Sequence, residues 1–428
     1  MLDVRDTNKV VTQHAPNGDC SEVASGDRSV HISLRDAEAV PDQAVYLDSP
    51  VLSAVNQIRP FFESGAYGKS DTPLLLRHRA LIRMQRLFSR LPVDLDVRPV
   101  KGGGAAQFPL RKGGVLFYPF NSQSNLQTVT NRGFRHVLTL HGESNKGASV
   151  RPASRMYDYV SIAGPLARDR YLDAGIFTPS DVDQGRLVMM GDTFVQSMPW
   201  IKPARITDRA PVIIYSPTWE GYGSDADKYS SVVGLRGFMA VLKTARALDL
   251  HRVVVKPHPY LGMLRPAMVR DFISGIRLLR RSGLQVSVLM RHASLQLKFG
   301  CFTQLSRLNT IVEDDSAPMA VAMALCDISG MEAIFLKQRI RHMVLAREDA
   351  VPKGMEAIYA RKCIMPHQEP ETALMDYLDG ADETDTAHRK IVFGWRNPEL
   401  EGMSASSARR WLIDYVRTDP FWSPAQTI

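Results

Sequence analysis

The feature that most restricts the fold is a set of short apolar runs that break off at proline, glycine or polar residues. Between residues 211 and 345 they include Val212-Ile213-Ile214-Tyr215-Ser216-Pro217-Thr218-Trp219, Arg252-Val253-Val254-Val255-Lys256-Pro257-His258-Pro259 and Leu325-Cys326-Asp327-Ile328-Ser329-Gly330-Met331-Glu332. Short apolar runs without polar alternation suit strands covered on both faces, and parallel sheets supply that cover. In such sheets the ligand crevice lies beyond the carboxyl ends of the strands, where these runs turn polar. The chemistry is therefore expected at 217–219, 256–259 and 327–332.

The same grammar appears upstream. Residues 115–119 read as a strand, 124–131 as a short helix, and 135–140 as a strand running into His141-Gly142-Glu143-Ser144-Asn145-Lys146. Strands follow at 157–163 and 186–190, with a helix at 165–174 stopped by Gly175. Beyond a Pro-rich basic link at 199–211, the reading is strand 212–216, helix 237–248, strand 252–256, helix 266–281 and strand 285–290. Then come a helix at 319–325, capped from Asp315-Ser316-Ala317-Pro318, a strand at 327–329, a helix at 331–337 and a strand at 341–346. This alternation predicts an α/β chain with two doubly wound Rossmann-type domains facing across a cleft. The expected division is a flexible lead-in at 1–45, an N-terminal domain at 46–205 and a C-terminal domain at 206–428, whose last helices can pack back on the first domain. Lys101-Gly102-Gly103-Gly104 and Arg111-Lys112-Gly113-Gly114 lack the spacing of a phosphate loop and read as turns.

At 428 residues, with 44% hydrophobic and 23% charged, the chain is long enough for two cores, and disorder is not its default. A net charge of +8 favours anionic partners. The basic residues are dispersed and carry no nucleic-acid-binding module, so nucleic acid is not the expected partner. The four cysteines, Cys20, Cys301, Cys326 and Cys363, form no C-x-x-C pair, which fits a reducing cytoplasm and gives no cysteine metal site. No export signal and no spanning apolar run is visible. From about 50 to 91 the pattern reads as helical, and in its last part Arg79, Arg83, Arg86 and Arg90 share one side, opposite Ala80, Leu81, Met84, Phe88 and Leu91. Such a basic amphipathic helix suits an anionic membrane surface or a polyanionic acceptor, and equally the solvated face of a core helix.

Four motifs in order, His141-Gly142 with Lys146, Tyr215 to Trp219, Lys256 to Pro259 and Cys326 to Ser329, together resemble those of the CDP-glycerol glycerophosphotransferase family, which builds teichoic acids and capsule polymers. A fifth segment, Glu401 to Arg409, is similar to one near that family's end. The likeness spans 115–415. It implies a GT-B fold with the donor held by the C-terminal domain and the acceptor by the N-terminal one. It also implies catalysis without a metal or other cofactor, and work at the inner face of the bacterial cytoplasmic membrane on a polymer or lipid-linked acceptor. The chain departs from the family in having Gly330 where a second Ser is usual, Glu220 where an Arg follows the Trp, and Met190-Gly191-Asp192-Thr193-Phe194 in place of a Gly-x-Pro-Arg-x-Asp segment.

Glycerophosphate transfer requires a base for the acceptor hydroxyl and donor groups around the diphosphate of a CDP-linked or other nucleotide-linked donor. His141 is the candidate base. His258 and Lys256 are assigned to the diphosphate or departing CMP, and Ser329 with Gly330 to a phosphate seat at a helix N-terminus. Asp327 is expected to hold that loop, Thr218 and Trp219 to line the nucleotide pocket, and Gly142 and Lys146 to lie on the acceptor side. Glu332 suits either donor hydroxyls or the helix dipole. Three alternatives remain open. One is a GT-B glycosyltransferase using a nucleotide-sugar donor, with Glu332 on a sugar hydroxyl. Another is a metal-dependent transferase using Asp94-Leu95-Asp96, Asp181-Val182-Asp183 or Asp225-Ala226-Asp227. The third is a phosphate-polymer binder without turnover.

Overall fold

Two parallel sheets, each with its helices, make up the computed structural model, which describes residues 40–48, 54–77, 95–100, 110–146, 150–221, 228–291, 293–305, 309–310 and 318–422. The predicted Arg79 to Arg90 helix, the 101–104 turn, Asp94 and Asp225-Ala226-Asp227 lie outside those residues. The first sheet holds β1 (Gln43–Leu47), β2 (Leu74–Arg77), β3 (Val97–Val100), β4 (Val115–Tyr118), β5 (Arg135–Leu138), β6 (Tyr159–Ile162) and β7 (Leu187–Met189). Their order is β3-β2-β1-β4-β5-β6-β7, with every pairing parallel. The second holds β8 (Ile201–Pro203), β9 (Val212–Ser216), β10 (Arg252–Val255), β11 (Gln285–Val288), β12 (Asn309–Thr310), β13 (Met319–Asp327), β14 (His342–Leu345) and β15 (Cys363–Ile364). Its order is β12-β11-β10-β9-β13-β14-β15, again parallel, with β8 paired to the start of β13.

The apolar runs behave as their composition requires. Every residue of β1, β4, β6, β9 and β14 is buried, which only a sheet covered on both faces permits. On one face of the second sheet, Phe238 and Val241 from Arg236–Ala247 pack with Phe272, Ile273 and Ile276 from Pro266–Arg281. On the other, Phe335 joins Tyr359 and Phe393. Helices are found where the sequence placed them at Pro165–Asp173, Arg236–Ala247, Pro266–Arg281 and Gly330–Lys337.

Three local readings are corrected. The stretch from about 50 to 91, read as helical, contains helix Ala54–Glu63 but also β2, because Leu74-Leu75-Leu76 is taken up between β1 and β3. The 43–47 segment, at the edge of the expected lead-in, is a central strand. The predicted helix at 319–325 is part of β13. Met, Ala and Leu there favour a helix locally, yet β9 and β14 pair with both edges of the segment, and burial overrides propensity.

The end of the chain crosses back. Ala408, Leu412, Ile413 and Val416 of helix Ala405–Thr418 sit in the first sheet's core with Phe61, Phe117 and Val188. Arg409 pairs with Asp71 at 2.9 Å.

Candidate functional site

Parallel pairing in the order β10-β9-β13 brings three of the sequence motifs to one edge of the second sheet. The strand order reverses between β9 and β13, and such a switch point opens a crevice at the strand ends. The loop after β5, carrying His141 to Lys146, meets that edge from the other domain. Lys146 Nζ donates to Thr218 Oγ1 at 2.7 Å, and Asn145 Nδ2 donates to Glu332 Oε2 at 3.1 Å. At Gly330 a Cβ would stand 3.3 Å from Glu143 O, so a serine there would press on the facing loop.

His141 is set at the end of β5 by two unusual backbone conformations. Leu140 has φ 58° and Gly142 φ 133°, a left-handed pair that turns the chain into the cleft and stores strain where a side chain must be aimed. The residue is exposed to water, although protein atoms crowd the ring closely enough to desolvate it. It stacks on Phe120 with centroids 4.4 Å apart. Its Nδ1 lies 3.0 Å from Pro119 O, which only accepts, so Nδ1 carries the proton and Nε2 the free lone pair. Desolvation lowers its pKa, with the bond to Pro119 O opposing.

His258 has the complementary tautomer. Its backbone N–H reaches Pro217 O at 3.1 Å, fixing the loop across two strand ends. The Tyr260 N–H donates to Nδ1 at 3.1 Å, so Nδ1 is the acceptor and the ring proton is on Nε2. Trp219 stacks on the ring at 5.8 Å and Tyr260 meets it edge-on. Burial pushes its pKa well below the usual value, and the charges of Lys146, Lys256 and His141 push it the same way. The two histidines therefore share one electrostatic environment.

Asp327, at the end of β13, is fully buried and acts as a staple. Its carboxylate accepts the Thr218 N–H at 2.7 Å and the Ser231 N–H at 3.2 Å, and Ser230 Oγ donates to Thr218 O at 2.9 Å. Burial raises its pKa to about 6, against the hydrogen bonds that favour the anion. An acid with a folded pKa above its unfolded one holds its proton more firmly when folded. Its contribution to stability is thus greatest below about pH 4 and declines until about pH 6. The expected result is that wild-type unfolding free energy, relative to Asp327→Asn, falls by about 2–3 kcal/mol over that window and is flat above it. Denaturant unfolding at several pH values measures this, and a flat difference from pH 4 to 6 refutes it.

Ser329 caps the Gly330–Lys337 helix, its Oγ accepting the Met331 N–H at 3.3 Å. Glu332 is buried. Tyr359 donates to it at 2.9 Å, Asn145 at 3.1 Å, and His388 Nε2 lies 3.2 Å away, off the line of a good hydrogen bond. Burial raises the Glu332 pKa, but His388, Tyr359 and Lys362 outweigh it and hold the carboxyl below its usual range. Glu332 stands in the first turn of that helix, the position that suits the helix dipole.

Glu220, the departure from an arginine, has a local use. Its buried carboxylate accepts the N–H groups of Gly262 at 3.0 Å, Leu264 at 2.8 Å and Arg265 at 3.1 Å, holding the loop that leads into Pro266–Arg281. Two of the Asp-x-Asp matches are likewise occupied. Asp181 closes a capping box with Thr178, and Asp96 pairs with Arg98 at 2.8 Å. Among the described residues no group of three or more metal-ligating side chains is found. Sequence reasoning missed Pro119, Phe120 and Tyr260, which orient the histidines, and Arg170, which bonds Asn145 at 2.6 Å and pairs with Glu143. Of these, Phe120 and Tyr260 follow strand-end prolines and carry at least that signal.

The molecule is a two-domain α/β protein of GT-B type, an architecture that rests on its own strand pairing. No family model matches the sequence, and it matches no curated protein. It is similar to a putative UDP-N-acetylglucosamine 2-epimerase from Listeria monocytogenes, at 12% identity over 91% of this chain and 100% of the other, with a TM-score of 0.47. It is also similar to Anabaena HepE in complex with UDP and glucose, at 9% identity over 87% and 99%, TM-score 0.44. A third likeness is to an S. aureus TarM mutant, at 8% identity over 71% and 55%, TM-score 0.36.

Proposed function

We propose that the protein transfers glycerol phosphate, or a related polyol or sugar phosphate, from a CDP-linked donor to a hydroxyl of a cell-surface polymer or its lipid-linked precursor. The observation that carries this reading is the pair of opposed tautomers, a lone pair on His141 Nε2 and a proton on His258 Nε2, contributed by facing domains. In the reaction the acceptor O–H loses its proton to His141 Nε2 while its oxygen bonds to the β-phosphorus. The bond from that phosphorus to the bridging oxygen breaks, and CMP leaves with the oxygen. His258 Nε2–H donates to that oxygen, and the charges of Lys146 and Lys256 offset the negative charge that builds there. Thr218, Trp219, Ser329 and Gly330 form the wall nearest the donor, with Asp327 holding it in place. Gly142 leaves open space beside His141 for an acceptor.

The nucleotide-sugar alternative would use the same crevice and the same helix N-terminus, so the identity of the donor separates the two readings. Among the described residues no helix is long and apolar enough to cross a membrane. The test is incubation with CDP-glycerol and, separately, with UDP-sugars, with an acceptor hydroxyl present and EDTA added. CMP release from the first is expected. UDP release from a sugar nucleotide alone overturns the donor assignment, and release that EDTA abolishes overturns the metal-free route.

A further inference from the structure

Among the described residues the helix Leu295–Gln304 is covered on one side only. Leu297, Gly300 and Cys301 face the core, and Gly300 packs against Pro266–Arg281, where an added Cβ would stand 2.6 Å from Val269 Cγ1. Leu295, Phe299 and Phe302, at i, i+4 and i+7, share the other side and are 79%, 74% and 62% exposed. Ser294 Oγ donates to Leu261 O at 2.7 Å, tying the helix start to the loop that carries Met263 and Leu264, also exposed. One leucine and two phenylalanines aligned in water mark an interaction surface.

Charge identifies what covers it. From 259 to 310 the sequence holds eight Lys or Arg and one acid, Asp271, so this stretch alone supplies a net +7 of the chain's +8. Arg265 and Arg291 are exposed at the margin of the apolar face, and Lys298, on the helix itself, bonds Arg291 O at 2.9 Å. A second copy meeting this face about a two-fold axis would set like charges against each other. An anionic surface meets opposite charge, and aligned Phe and Leu with basic neighbours are the pattern of helices that lie in a lipid interface.

We propose that this face docks on an anionic lipid bilayer, with Leu295, Phe299 and Phe302 inserted at the headgroup boundary and Arg265, Arg291 and Lys298 among the headgroups. The loop beneath it is continuous with Tyr260 and His258, so one short stretch of chain joins the docked face to the cleft wall. The proposal stands independently of which nucleotide the donor carries, and its test needs no turnover.

The experiment is co-sedimentation of the full chain with phosphatidylcholine vesicles, with and without about one third phosphatidylglycerol, at low and high salt. Binding to the anionic vesicles, weakened by salt, is expected. L295Q/F299Q/F302Q should lower the partition coefficient about a hundredfold, and Phe299→Gln alone about tenfold. Arg291→Gln with Lys298→Gln should weaken binding about tenfold and flatten the salt dependence. Thermal unfolding reports whether each variant is folded, and the single Phe299 change keeps the test valid should the triple variant fail. The proposal is overturned by a wild type that ignores anionic vesicles, or by folded variants that bind as tightly as wild type. It is also overturned by light scattering that finds a wild-type dimer converted to monomers by Phe299→Gln, which would assign the face to a second copy.

Discussion

His141→Asn is expected to lower CMP release by about two to four orders of magnitude while leaving nucleotide affinity nearly unchanged. Asparagine retains an N–H for Pro119 O and so preserves the loop, but it has no basic nitrogen at the position of Nε2. The loss thus isolates proton removal from folding and from donor binding. The pH profile gives an independent readout. Protonated His141 is no base, and desolvation lowers its pKa, so the acid limb of kcat should fall below the ordinary histidine value of about 6.5. Turnover that survives the substitution, or an acid limb above that value, removes His141 from the proposed step.

His258→Phe should reduce kcat/KM by about a hundred- to a thousandfold and weaken binding of the CDP moiety as well. Phenylalanine keeps a ring to stack on Trp219, so the wall of the cleft persists while the Nε2–H disappears. Both changes are needed for the assignment, because a group on the donor side acts in the ground state and in the transition state alike. Equilibrium binding of CDP together with steady-state kinetics separates the two contributions. Donor affinity equal to wild type would place His258 away from the phosphates. The two substitutions predict different kinetic signatures for residues in one electrostatic environment, which a merely structural role for either would not produce.

The parts of the site legible in the sequence were those carried by strand ends. Thr218, Lys256, His258, Asp327 and Ser329 each follow an apolar run, and the run fixes where the strand stops. Their convergence could not be read from the runs alone, because sequence order does not say that β9 lies between β10 and β13. Glu332 shows the same limit. Its position in the first helical turn is readable, but Tyr359 and His388, which occupy its carboxylate, come from elements far along the chain. Glu220 looked like a lost cation at a phosphate site; only the fold of 262–265 around it shows that a carboxylate is what those three N–H groups require. The misread 319–325 segment has good helix formers in every position but one, Val321.

By itself the sequence determined the alternation of strands and helices, the α/β class and the points at which apolar strands give way to polar ends. These follow from local composition and period, properties of neighbouring residues. The tertiary structure alone decided the identity of β13 as a strand, the return of the last helix to the first domain, and the proton positions on His141 and His258. Each depends on partners distant in the chain: two flanking strands, a facing core, and a carbonyl or an N–H supplied by a folded loop. Contacts of that kind are set by long-range packing, which a local pattern does not encode.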